Sequence, residues 1–104
     1  MPHERSAVEI TQKQLRAKLI EQNYRCALTG ALLTPENATP DHIVPVTKGG
    51  SHSIENIQIV TEEANRAKGE LTMEEFRSLC ARVLEWTART NGSEPVAKRA
   101  GRGD

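Results

Sequence analysis

One stretch of the chain holds most of the side chains whose types and spacing could do chemistry. From Asp41 to Lys68 it reads DHIVPVTKGGSHSIENIQIVTEEANRAK. It contains a carboxylate beside an imidazole, a Gly-Gly pair, and an asparagine close to two basic residues near its end. Carboxylate and amide oxygens are ligands for a hard divalent cation, a neutral imidazole can deprotonate water, and a nearby cation can bind phosphate. Brought together, residues of these types could hydrolyse a phosphodiester bond with one metal ion.

The remainder of the chain has the composition of a small scaffold. Its 104 residues are 37% hydrophobic and 27% charged, which leaves room for a single domain with a modest, mostly aliphatic core. We expect this domain to span residues 10–90, with a flexible N-terminus at residues 1–9. Residues 91–104 are rich in Gly, Pro and charge, which predicts a disordered tail.

The charge balance limits how the protein could bind a polyanion. The formal net charge is zero, from 14 basic and 14 acidic residues, so binding by global charge is not expected. The charges are unevenly distributed, however. Basic residues cluster at Lys13, Arg16, Lys18 and Arg25 and in the tail at Lys98, Arg99 and Arg102, while acidic residues gather at Glu62, Glu63, Glu70, Glu74 and Glu75. One face could approach DNA while another stays solvated.

Cysteine usage and hydropathy indicate a cytoplasmic protein. Cys26 and Cys80 are far apart, which does not make a disulfide framework. The first residues are polar, and no apolar run approaches the length of a membrane span. We therefore expect a cytoplasmic location and no membrane partner.

Two helices are predicted from capping boxes outside the chemical stretch. Thr11 with Gln14 begins a short amphipathic helix that continues to about Gln22. Thr72 with Glu75 begins a longer one, whose apolar residues follow the helical period until Asn91 and Gly92 close it. These elements predict an N-terminal and a C-terminal helix on either side of the site.

Within the chemical stretch the pattern predicts two strands and a helix. Ile43 and Val44 form a brief strand that Pro45 ends, and β-branched residues from Ile54 to Val60 form a second. Thr61 then caps a helix that runs to Lys68, because Gly69 stops it. The fold class is thus α+β, a small single domain with a ββα core over about residues 39–69 and flanking helices.

The same residues resemble a known family. Asp41-His42-Ile43-Val44-Pro45, Gly49-Gly50, Asn56, and Asn65 followed by Lys68 are similar in type and order to the HNH endonucleases, which have a ββα-metal fold. The similarity is close to the HNH domain of RNA-guided CRISPR nucleases and extends to phage HNH nucleases. It covers about a quarter of the chain directly, residues 41–68.

The resemblance implies a role for each matched residue. Asp41 and Asn65 would supply oxygens to Mg2+ or Mn2+, and His42 would act as general base on the attacking water. Asn56 would orient the base as part of the catalytic set. Phosphate binding would fall to four residues, Lys68, Arg66, Lys48 and His52. Adjacent strand residues point to opposite faces, so Asp41 and His42 could share a site only if the strand bends or if they lie on either side of the scissile phosphate.

This sequence departs from the family pattern in two places. Asn65 stands where the family has a histidine, and an oxygen ligand in place of nitrogen favours Mg2+ or Mn2+ over Zn2+ or Ni2+. Many relatives also hold a structural zinc with two C-x-x-C pairs. Here the corresponding residues are Cys26 with Thr29, and Thr61 with Ala64. One thiolate cannot form a tetrahedral zinc site, so no structural zinc is expected.

Two functions remain open at this point. The first is a metal-dependent DNA endonuclease that leaves 5′-phosphate and 3′-hydroxyl ends. The second is a noncatalytic DNA-binding or accessory module of a larger machine such as a phage terminase. A homodimer or a terminase-type partner is compatible with either.

Overall fold

The computed structural model describes residues 9–90. The predicted flexible N-terminus and disordered tail lie outside this range, apart from Glu9. The elements, in chain order, are α1 (Gln12–Glu21), β1 (Ala38–His42), two single-turn 3₁₀ helices (Val46–Lys48 and Ile54–Asn56), β2 (Ile57–Thr61), α2 (Glu62–Lys68) and α3 (Met73–Thr90). The α+β class and the ββα order are confirmed.

The start of α1 follows from its cap. The Thr11 hydroxyl accepts a hydrogen bond from the Gln14 backbone N–H at 3.1 Å, and the Gln14 side chain accepts one from the Thr11 backbone N–H at 2.9 Å. This reciprocal pair is the predicted capping box, and it satisfies two backbone donors that have no partner inside the helix.

Beyond the end of α1, Gln22 connects the helix to β2. Its side-chain amide donates to the Ile59 carbonyl at 2.9 Å and accepts from the Ile59 backbone N–H at 2.9 Å. One side chain thereby occupies hydrogen-bonding groups of β2 that a further strand would otherwise use.

The sheet consists of two antiparallel strands, and the first is earlier in the chain than predicted. β1 pairs with β2 from Ala38 opposite Thr61 to His42 opposite Ile57. Ile43 and Val44, predicted as the strand, form a bend after it. Pro40 is tolerated inside β1 because a two-stranded sheet has only edge strands, where a missing N–H can face away from the partner.

The second strand carries much of the core. All five residues of β2 are buried. α1 and α2 both contact it, which explains why its sequence does not alternate between apolar and polar residues. The buried apolar residues are Cys26, Leu33, Ile57, Ile59, Val60 and Ala64.

The two ends of α2 agree with the sequence prediction. The Thr61 hydroxyl accepts from the Ala64 backbone N–H at 3.1 Å, and Gly69 follows the helix with a φ of 54°. Glu62 and Glu63 occupy the first turn, where the partial positive charge of a helix end favours acidic residues.

The contacts divide the chain after Met73 into a first unit, which contains the sheet, and a second that begins at Glu74. In the second unit, α3 continues to Thr90 as one helix, and none of its residues is buried. The single domain predicted over residues 10–90 stays a prediction.

Candidate active site

The carboxylate of Asp41 lies buried on one face of the sheet. The side chain is 6% exposed, and Gln58 lies directly opposite it in the strand register. Gln58 Nε2 donates to Asp41 Oδ2 at 2.9 Å. Lys68 Nζ lies 3.2 Å from Oδ2 and 3.4 Å from Oδ1. The negative charge therefore has a hydrogen-bond donor and a cation beside it, as a buried charge requires.

Lys68, predicted to bind phosphate, lies in the interior. Its side chain is fully buried, and Nζ donates to the His42 carbonyl at 3.0 Å as well as contacting Asp41. It acts as an internal counter-ion and links two consecutive residues of β1. Phosphate contact requires an exposed side chain, and of the residues predicted for that role Lys48, His52 and Arg66 are exposed.

His42 ends β1 and is half-buried. Its Nε2 lies 2.9 Å from Nδ1 of His52, and the two ring centroids are 5.1 Å apart. The sequence did not predict this contact, since His52 was assigned to phosphate binding alone.

Asn56 joins the end of β1 to the loop that carries His52. Its side chain accepts from the Val44 backbone N–H at 3.0 Å and donates to the Val44 carbonyl at 3.0 Å and to the Ser51 carbonyl at 2.7 Å. Gly50 allows this close approach, because a Cβ at this position would lie 1.8 Å from the Val44 carbonyl oxygen. These contacts hold the loop against the strand.

A cleft of about 410 Å³ brings the predicted site residues together. Asp41, His42 and Asn65 all border it, although the first two are adjacent in a strand. His42 is the last strand residue, and the chain bends directly after it. The other lining residues are Pro40, Pro45, Val46, Thr47, Gly69 and Glu70.

The residues that border this cleft fit a hard, hydrated cation. Within residues 9–90 no three His, Cys, Asp or Glu side chains group as a metal site, so a site made only of protein ligands is not found there. A magnesium ion commonly takes one or two protein oxygens and completes its shell with waters and substrate phosphate. The Asp41 carboxylate and the Asn65 amide oxygen form such a set, and a carboxylate has about four lone-pair positions, more than Gln58 and Lys68 occupy.

Glu70 was not predicted as part of the site. It borders the cleft, and the Thr47 hydroxyl donates to its carboxylate. It brings a second carboxylate to the cleft from outside the ββα core. Because it lies beyond residues 41–68, the range that resembles the family, the sequence analysis did not include it.

Two other missed features had a signal in the sequence. Lys68 is four residues after the buried Ala64, and residues four apart share a helix face, so the helical period places the lysine on the core side. Gln58 lies in an otherwise apolar run, where a lone amide needs a buried partner.

At the positions that correspond to a zinc site, Cys26 makes other contacts. Its Sγ accepts from the Thr61 backbone N–H at 3.3 Å. Burial is the largest influence on the thiol and opposes ionisation. Hydrogen bonds from the Thr29 side chain and from the backbone N–H groups of Thr61, Leu28 and Thr29 together outweigh it and lower the pKa of Cys26.

Comparison with models of known protein families gives a match. The family model described as HNH endonuclease matches residues 24–71. This segment of the chain is similar to the HNH endonucleases. The matched range contains both strands, α2, and every residue discussed at the cleft. A search of curated proteins found no match.

HNH endonucleases are metal-dependent nucleases, and their substrate is a nucleic acid. Between residues 9 and 90 no helix has the length and apolar character needed to cross a membrane.

Proposed function

We propose that the HNH domain is a DNA endonuclease that hydrolyses or nicks phosphodiester bonds with a single Mg2+ or Mn2+ ion. The observation that carries the proposal is that Asp41, His42 and Asn65 border the same cleft. Residues of these three types can bind a cation and accept a proton. The cleft of about 410 Å³ has room for a phosphate group and its waters.

In the proposed reaction, Asp41 and Asn65 would hold the cation, which would supply positive charge against the negative charge that develops on the phosphate and on the departing 3′ oxygen. His42 accepts a proton from the attacking water. The water oxygen bonds to phosphorus as the bond to the 3′ oxygen breaks, and the 3′ oxygen takes a proton from solvent water, which leaves 5′-phosphate and 3′-hydroxyl ends.

The surrounding contacts suit a preorganised site. Lys68 and Gln58 fix the Asp41 carboxylate through its own oxygens, so the ligand does not have to be ordered when the cation binds. Asn56 supports the chain segment after His42. Arg66 and Lys48 are exposed and supply the cations for DNA phosphates.

A noncatalytic accessory role, for example beside a phage terminase-type partner, is the second candidate. One observation favours it: the Asp41 carboxylate already has Lys68 and Gln58 as partners. With these two partners, the Asp41 carboxylate has a structural role that needs no cation.

Nicking of supercoiled plasmid separates the two candidates. The wild-type protein and the His42→Ala variant are incubated with plasmid and Mg2+ or Mn2+, with EDTA as the metal-free control. The endonuclease proposal predicts metal-dependent nicking that the variant loses by a factor of about 10² to 10⁴. Equal absence of nicking in both proteins would support the accessory role.

The ends of the nicked strand test the direction of cleavage. DNA ligase should reseal the nicks without prior treatment, because ligation needs a 5′-phosphate beside a 3′-hydroxyl. Resealing only after exchange of the phosphate from one end to the other would refute the proposed bond.

A further inference from the structure

The imidazole of His42 has a second imidazole as its neighbour. His42 Nε2 and His52 Nδ1 are 2.9 Å apart, a distance typical of a hydrogen bond. A neutral imidazole has one N–H donor and one acceptor nitrogen, so in a neutral pair one of the two rings must donate. The contact therefore couples the tautomers of the two rings: either His42 donates from Nε2 or His52 donates from Nδ1.

The loop that carries His52 is held in place by the backbone. Asn56 Nδ2 donates to the Ser51 carbonyl at 2.7 Å, immediately before His52. The Ile43 backbone N–H, immediately after His42, donates to the Asn56 carbonyl at 2.8 Å. Ser51, before His52, and Ile43, after His42, are therefore both hydrogen-bonded to Asn56. These bonds fix the backbone positions that set the distance between the two imidazoles.

Both histidines border one groove, but only His42 also borders the cleft. His42 borders the cleft that contains Asp41 and Asn65, and it also borders a separate groove. His52 lines the groove and is absent from the cleft. The contact between the two rings, made by Nε2 of His42, therefore lies on the side of the groove.

We infer that His52 is the positioning residue of the base: its Nδ1 accepts the Nε2–H of His42, which leaves the lone pair of His42 Nδ1 to take a proton from water. This inference rests on the proposed function, because His42 is the base only in that reaction. The opposite tautomer pair would place a proton on Nδ1 of His42 and use Nε2 as acceptor, so neither nitrogen could receive a proton.

The tautomer is measured directly by NMR of protein labelled with ¹⁵N-histidine, without DNA. Two-bond correlations between ring carbon-bound protons and nitrogens distinguish a protonated from an unprotonated nitrogen. At about pH 8, where an ordinary histidine is neutral, we expect His42 to be protonated at Nε2 and His52 to be unprotonated at Nδ1. A His42 ring protonated at Nδ1, or rapid averaging of both forms, would overturn the inference.

Two substitutions of similar size separate the hydrogen bond from packing. His52→Asn places an amide oxygen near the position of the lost Nδ1, whereas His52→Leu has the same shape without an acceptor. We expect His52→Leu to lower kcat by about 10- to 100-fold with little change in KM, and His52→Asn to recover most of that loss. Ser51→Ala is the loop control, since the Ser51 side chain contacts Ser53 and not His42.

Other outcomes count against the positioning role. A rise in KM with unchanged kcat in both His52 variants would assign His52 to phosphate binding. Equal loss in both variants with a changed circular dichroism spectrum would assign it to folding. Failure of the wild-type protein to nick DNA would refute the proposed function and the inference with it. The opposite tautomer, read without DNA, would overturn the inference and leave the proposed function standing.

Discussion

At the scale of single residues, the contact between Lys68 and Asp41 shows how the site depends on charges in the interior. The lysine side chain is fully buried and the aspartate is 6% exposed. Desolvation of two charges is costly, and their attraction offsets this only while both partners are present. The pair holds the Asp41 carboxylate in one orientation at the cleft, which is what a cation ligand needs.

Replacement of Lys68 by methionine should destabilise the fold strongly. The Lys68→Met variant keeps much of the side-chain volume but leaves the Asp41 carboxylate without its cation, which costs about 3 to 5 kcal/mol. Urea unfolding followed by circular dichroism measures the loss. Addition of Asp41→Asn in the same chain should restore part of the stability, because no charge then remains.

Arg66→Met is the matched control for this experiment. Arg66 belongs to the same helix, but its pair with Glu62 is exposed and 3.9 Å long, so its loss should change stability by less than about 0.5 kcal/mol. Similar destabilisation by both variants would show that Lys68 contributes through helix propensity and not through Asp41.

Cys26 gives a pH dependence with a definite sign. Burial disfavours its thiolate, but hydrogen bonds from Thr29 and from nearby backbone N–H groups outweigh burial and lower its pKa below the ordinary thiol value of 9.0. Between the lowered pKa and 9.0 the unfolded chain keeps the proton that the folded chain has lost. The free energy of unfolding therefore rises with pH in this window, and the contribution is lost as pH falls through the folded pKa.

Unfolding midpoints at about pH 7 and about pH 9 test this sign. We expect the gap in stability between wild type and Cys26→Ala to be wider at the higher pH. A gap that stays constant or narrows would contradict a lowered Cys26 pKa.

At the scale of elements, the loop between the strands is as important as the strands. Gly50 lies against the Val44 carbonyl, where a Cβ would be 1.8 Å away and also 2.9 Å from the Asn56 amide nitrogen. A side chain here must displace the loop, and with it the contacts of Asn56 to Val44 and Ser51. The position of His52 beside His42 depends on the same contacts.

Gly50→Ala should therefore lower both stability and kcat. Gly49→Ala is the control, because Gly49 has a φ of 92° but a Cβ added there would meet nothing within 4 Å, so its cost is backbone strain of about 1 to 2 kcal/mol. We expect the lower urea midpoint and the larger loss of kcat in Gly50→Ala. Equal effects of the two substitutions would contradict the close packing of residue 50.

The elements were predictable to different degrees, for a physical reason. Helix ends came from local chemistry, since the Thr11 and Thr61 caps and Gly69 act within four residues of their partners. The first strand was misplaced because its pairing is set by β2, about twenty residues away, and the sequence signal of Ile43 and Val44 was stronger than that of a strand containing Pro40.

The site was predictable in its residue types and less so in its contacts. Asp41, His42 and Asn65 could be selected because their order resembles a family, and all three border one cleft. The His42–His52 contact and the internal position of Lys68 depend on how loop and helix pack on the sheet, which no local pattern specifies.

At the scale of the whole molecule, charge would limit the proposed DNA binding to a few contacts. The chain has no formal net charge, and the exposed cations predicted to meet phosphate within the described residues are Lys48 and Arg66. Each neutralised phosphate adds about 0.9 to the slope of log affinity against log salt concentration. The HNH domain should therefore bind DNA weakly, with affinity that depends only modestly on salt.

Fluorescence anisotropy with a duplex, in the cleavage-impaired His42→Ala background, measures this slope. Arg66→Ala should reduce its magnitude by about 1 and weaken binding to all sequences similarly. Glu63→Ala, on an exposed acidic residue of the same helix, is the control and should not reduce the slope. An unchanged slope for Arg66→Ala would exclude Arg66 from phosphate contact.

The proposed reaction requires that one cation binds between Asp41 and Asn65, beside His42. Titration of the ¹⁵N-labelled protein with Mn2+, without DNA, tests this most directly, because the paramagnetic ion broadens only nearby NMR signals. We predict that the Asn65 side-chain amide and the His42 ring broaden first and together, and that Asn65→Ala requires a higher Mn2+ concentration for the same effect at His42. Broadening centred on the acidic residues Glu62 and Glu63, with His42 still sharp, would contradict the site.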